Sequence, residues 1–125
     1  MRKSNPNTVH APAGYTHLVE VGNLVFLSGQ VGRNATGEIV GAGDPGAQTE
    51  QIFKNIEACL RDAGCTLDDI IKVTIFITDY SYKEAVLKVR DKYLGANPPA
   101  STFVVCSSLA LPEYLVEIEC IAEKK

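Results

Sequence analysis

The chain has 125 residues, 46% of them hydrophobic and 22% charged, which is the balance of an ordinary globular protein and a length that fits a single domain, residues 1–125. A formal charge of −3 with scattered Lys and Arg argues against a nucleic-acid surface, which would show as a basic excess. Cys59, Cys65, Cys106 and Cys120 form no C-x-x-C pair, and no His stands at zinc-ligand spacing, so neither a metal site nor a redox dithiol is expected and the thiols read as free. The segment Met1-Arg-Lys-Ser-Asn-Pro-Asn-Thr8 has no apolar stretch of the signal-peptide kind, and no apolar run reaches membrane-spanning length. A cytoplasmic protein with no membrane partner is expected.

In chain order, residues 1–13 are polar and proline-punctuated and read as an arm that is ordered only if something packs on it. Tyr15 to Val21 and Leu24 to Val31 are rich in β-formers and flank Gly22-Asn23, a pair suited to a two-residue hairpin turn. Glu38-Ile-Val40 is a candidate short strand within a glycine-interrupted loop. Asp44-Pro45 then opens a helix as cap and first position, with Ile52, Phe53, Ile56, Leu60 and Ala63 on one stripe and Gly64 as its stop. Thr66-Leu-Asp-Asp69 is a capped turn, and the β-branched run Ile70 to Ile77 reads as a central strand.

Ser81-x-x-Glu84 has the form of a capping box for a second helix that turns Tyr82, Val86, Val89 and Tyr93 inward and closes at Gly95. Pro98 to Pro112 and Glu113 to Ala122 read as a pair of neighbouring strands joined by a loop that ends at Pro112. In the last strand Val116, Ile118, Cys120 and Ala122 share one face, which puts Glu117 and Glu119 on the other, about 6.5–7 Å apart. Two carboxylates so placed either hold a water for acid–base work or lie on a solvated face.

The order β-β-α-β-α-β-β gives an α+β fold in which two helices cover one face of a mixed sheet. The other face, partly apolar, is then left open. Burial of that face by self-association is expected, with binding pockets forming between subunits.

Several segments together, Gly14-Tyr15, Val21 to Gln30 with its Ser28-Gly29-Gln30, Pro99-Ala100, Leu111-Pro112 and Val116 to Ala122, resemble the Rid (reactive intermediate deaminase) family, also called endoribonuclease L-PSP or perchloric-acid-soluble protein. The likeness runs from Tyr15 to Ala122. It implies a chorismate-mutase-like fold and a cofactor-free homotrimer with three clefts at the subunit interfaces. In one branch such clefts hydrolyse enamines and imines, 2-aminoacrylate among them, to 2-oxo acids and ammonia.

By the same resemblance Glu119 matches the residue that positions the attacking water, while Tyr15, Ser28 and Gly29 match positions lining the cleft. The branch's carboxylate-binding Arg follows Pro-Ala, where this chain has Ser101. A desolvated charged contact of that kind is worth about 2–5 kcal/mol; the hydroxyls of Ser101 and Thr102, standing in its place, bind neutral polar groups but hold a carboxylate poorly. Arg90 on the second helix and Arg33 after the Ser-Gly-Gln strand are the candidates for a relocated charge. Phe103 either narrows the cleft or joins the sheet core, and His17 reads as a surface or interface residue.

The readings that follow are a hydrolase of an imine or enamine other than the standard substrate, and a non-catalytic trimer binding a small metabolite in the same clefts. RNA cleavage rests on the family label alone, against an acidic chain with no basic and aromatic stripe.

Overall fold

The computed structural model describes residues 1–125. It contains strands β1 (Arg2–Ser4), β2 (Leu18–Val21) and β3 (Leu24–Gln30), helix α1 (Pro45–Asp62), strand β4 (Ile70–Ile77), helix α2 (Lys83–Leu94), and strands β5 (Ala100–Val105) and β6 (Val116–Glu123). All six strands form one sheet in the order β1-β2-β3-β6-β4-β5, parallel only between β4 and β5. The architecture is α+β with a mixed sheet, as the sequence implies. No helix is long and apolar enough to cross a membrane.

Strands β2, β3, β4 and β6 each bury one set of residues on the helix side of the sheet. In β6 that set is Val116, Ile118, Cys120 and Ala122, each at most 3% exposed, and the inner residues of β3 and β4 join them against both helices. Helix α1 starts where Asp44 accepts a hydrogen bond from the Ala47 amide, and it ends before Gly64, whose φ of 76° favours glycine. Its Phe53 is fully buried and stacks on Tyr93 of α2, with ring centroids 4.8 Å apart.

Four expectations are corrected. The arm supplies a sixth strand: β1 pairs with β2, and Arg2 bonds to Glu20 and Asp62, so charge pairing orders a segment with no apolar alternation. The last two strands are not neighbours, because β4 lies between them. The second helix begins at Lys83 rather than on a Ser81–Glu84 box. Asp79 caps the preceding turn instead, accepting from the amide and hydroxyl of Ser81 at 2.8 and 2.7 Å. Glu38-Ile-Val40 amounts to a single bridge between Arg33 and Ile39.

The sheet face away from the helices carries three cross-strand rows: Phe26, Ile121, Lys72 and Ala100, then Glu119, Thr74 and Thr102, then Glu117, Phe76 and Val104. Phe26 is 41% exposed, and Phe76, Val104 and Ile121 are half-buried with nothing packed over them in one chain.

The Phe53–Tyr93 stack joins the two helices over the sheet. Replacing Phe53 with Ala is expected to lower unfolding free energy by about 3–5 kcal/mol, and Phe53→Leu by clearly less, in urea titrations at one fixed protein concentration.

Candidate functional site

The site is built around an irregularity in β3. Leu27 pairs with Cys120 and Gln30 with Ile118, so two residues, Ser28 and Gly29, stand opposite the single residue Glu119. A methyl group at Gly29 would overlap the Glu117 carboxylate, so glycine there lets the acid lie against the strand. The Ser28 hydroxyl donates to the Thr16 carbonyl at 2.6 Å and its amide to the His17 carbonyl at 2.9 Å. Ser28 thus ties the incoming chain to the bulge.

Over this bulge opens a cavity of about 600 Å³. It is lined by Ser28, Gly29, Glu117 and Glu119 of the sheet, by His10 and Tyr15 of the arm, and by Arg33, Leu111 and Tyr114 of the loops. Two buried amides of α1 hold the walls in place. Asn55 donates to the carbonyls of Val31 and Arg33 at 3.1 and 2.9 Å; Gln48 donates to the Glu113 carbonyl at 2.9 Å and accepts from the Leu115 amide at 2.9 Å.

The arm is fixed by a histidine that the sequence places at the surface or an interface. His17 is fully buried, because β2 starts only at Leu18 and the preceding residues fold inward. Its Nε2 lies 2.7 Å from the His10 carbonyl, which can only accept, so Nε2 carries the proton and Nδ1 accepts from Gln30 Nε2 at 3.1 Å. His10 in turn meets the Tyr15 hydroxyl at 3.2 Å through Nε2, while its Nδ1 is buried without a partner. Burial, with His17 and Arg33 nearby, pushes His10 down to about 4, so it is neutral at neutral pH. Burial also raises the Tyr15 hydroxyl, with Tyr114 adding to the effect.

The two carboxylates differ. Glu119 is exposed to the cavity, whereas Glu117 is half-buried and its carboxyl is raised, first by desolvation and then by the charge of Glu119.

The structure divides the sequence-selected residues. Tyr15, Ser28, Gly29 and Glu119 come together in the large cavity. Ser101 and Arg90 line a separate recess of about 140 Å³ with Val73 and Pro99, on the helix side of the β5 edge, and Arg90 is paired with Asp91 at 2.8 Å. Thr102 lies on the open face in the Glu119 row and accepts from Lys72, and Phe103 packs against the core. The two cavities share no residue within one chain. His10 and Tyr114 were not selected as site residues from sequence, since their place depends on where the arm and the β5–β6 loop fold back.

The endoribonuclease L-PSP family model matches residues 6–124. The chain is 38% identical to a RutC family protein of Pyrococcus abyssi, covering 89% of this chain and 87% of that one, and 34% identical to Reactive Intermediate Deaminase A, chloroplastic, of Arabidopsis thaliana, covering 98% and 66%. A putative endoribonuclease of Thermotoga maritima superposes with a TM-score of 0.89 at 35% identity over 98% of this chain and 96% of that one. The E. coli TdcF structure with bound serine gives 0.88 at 29% identity over 98% of each. The chain belongs to the Rid family, equally described as endoribonuclease L-PSP.

Because Glu117 holds its proton more tightly folded than unfolded, its contribution to stability is complete below the usual glutamate range and is lost as pH rises through the raised value. The expected result is that Glu117→Gln gains in urea midpoint over wild type between about pH 4 and about pH 7. A difference that stays flat across that range contradicts the assignment.

Proposed function

We propose that this protein is a hydrolytic deaminase of a small imine or enamine, working without a cofactor in clefts completed by the subunits of a homotrimer of chorismate-mutase-like fold. The observation that carries the reading is Glu119, an exposed carboxylate on the floor of a cavity that it shares with the half-buried Glu117, His10, the hydroxyls of Tyr15, Ser28 and Tyr114, and one guanidinium, Arg33. A protonated imine carbon is strongly electrophilic, so the protein need only place water and take its proton. Glu119 accepts that proton as the water oxygen bonds to carbon. The resulting carbinolamine then expels ammonia or an amine as the carbonyl forms, with the proton returned to the leaving nitrogen. Glu117 lies beside it on the same face, half-buried, its carboxyl raised first by burial and then by the charge of Glu119.

The apolar open face, with Phe26 41% exposed, supports self-association. Sedimentation equilibrium is expected to give three times the 13.5 kDa chain mass; a stable single chain would contradict the assembly. A second reading, a non-catalytic trimer binding a small metabolite, is favoured by Ser101 standing where the deaminase branch has its arginine and by the serine held in the TdcF structure.

The test that separates the two is turnover of imines generated by an amino-acid oxidase and trapped with semicarbazide. Under the hydrolase reading Glu119→Gln lowers kcat by roughly 10²–10⁴-fold with the fold intact, the size of a lost general base. Uniform inactivity of the wild type toward 2-imino acids and neutral imines favours the binding reading.

A further inference from the structure

Of the four arginines, Arg2 pairs with Glu20 and Asp62, Arg90 pairs with Asp91, and Arg61 is exposed to water. Arg33 alone is half-buried without a carboxylate within ion-pair distance, although it borders a cavity with Glu117 and Glu119 on its floor. Its Nε donates to the Gly37 carbonyl at 3.0 Å and its Nη1 to the Tyr114 hydroxyl at 3.2 Å. Both Nη2 hydrogens and one on Nη1 have no protein acceptor.

A partly desolvated guanidinium left unpaired is costly, and a protein that had only to fill this wall would use a neutral side chain. Here the surroundings instead hold the group in one orientation. Asn55 fixes the Arg33 carbonyl from α1, and Tyr114 and Gly37 fix the side chain. The free N–H groups are those that grip a planar carboxylate at two points. The cavity is therefore polarised, with a cation on the wall and two carboxylates on the floor.

From this polarity we infer that Arg33 is a specificity-determining residue that anchors a carboxylate on the ligand while the electrophilic or cationic end lies over Glu119. The cavity then selects small acids carrying an imine, enamine or carbonyl next to the acid group, and the anchoring charge comes from the loop after β3. Ser101 and Arg90 are not needed for the grip. The inference rests on the cavity assigned above as the ligand site, but it does not require turnover.

The test measures binding to the full-length wild-type protein. Pyruvate and its neutral amide, pyruvamide, are titrated by calorimetry, and the arginine side-chain Nε resonances are followed by NMR. Pyruvate is expected to bind roughly ten- to a hundredfold more tightly than the amide, as for a hydrogen-bonded charge, and to shift the Arg33 signal where the amide does not. Arg33→Gln abolishes the preference, and Arg90→Gln keeps it.

Equal affinity for acid and amide, no detectable pyruvate binding, or a preference that survives Arg33→Gln or vanishes in Arg90→Gln overturns the inference. The Nε signal of the wild type decides the matter if Arg33→Gln loosens the loop. An inert protein with the acid preference intact would defeat the hydrolase reading alone. Hydrolysis of neutral imines with no acid preference would defeat this inference alone.

Discussion

Strand β6 has to satisfy the two faces of the sheet at once. Its even-numbered residues fill the centre of the core, where Val116, Ile118 and Ala122 are fully buried, and the two-residue period leaves no freedom over where Glu117 and Glu119 point. A slip of one residue would drive both acids into the hydrocarbon interior at a prohibitive cost, so the same packing that stabilises the fold locks the carboxylates onto the opposite face. The bulge at Ser28-Gly29 makes room there by setting two residues against one and withholding a side chain from Glu117. The chemistry of the cavity is in this sense a consequence of core packing.

Much of the scaffold follows from such local rules and was legible. The Gly22-Asn23 turn, the Asp44-Pro45 helix start, the apolar stripe of α1 and the buried alternation of β4 and β6 are each set by a few neighbouring residues. The helix order and the open sheet face follow from them. Strand β1 was not legible, because Arg2-Lys3-Ser4 owes its pairing to Glu20 and Asp62, which are distant in sequence. The place of β4 between β5 and β6 was hidden for a related reason: adjacency in the chain suggested a pair, but a parallel β4–β5 crossover through α2 leaves the last strand to enter on the other side.

The candidate site was legible in proportion to how local its parts are. Glu119 follows from strand period and from likeness to the family, and Ser28, Gly29 and Tyr15 from that likeness. The walls are tertiary. His10 reaches the cavity only because His17 turns inward and bonds its carbonyl, and Tyr114 only because Gln48 pins the loop before β6. Ser101 was grouped with Glu119 by likeness, whereas within one chain it faces α2 and Arg90. Register explains the split, since Ser101 aligns with the inward Val73 while Thr102 aligns with Thr74 in the Glu119 row. These placements also account for the different standing of the two arginines: Arg90 has its own acid next door, and Arg33 has none.

If Glu119 and Arg33 act together, a ligand lies across the bulge with its reactive carbon over Glu119 and its acid group against Arg33. A crystal structure of the protein grown with a 2-oxo acid tests this most directly. The account predicts density with its carbonyl end against Glu119 and its carboxylate on the Nη atoms of Arg33. Density in the recess of Arg90 and Ser101, with the Glu119 cavity empty, would contradict it.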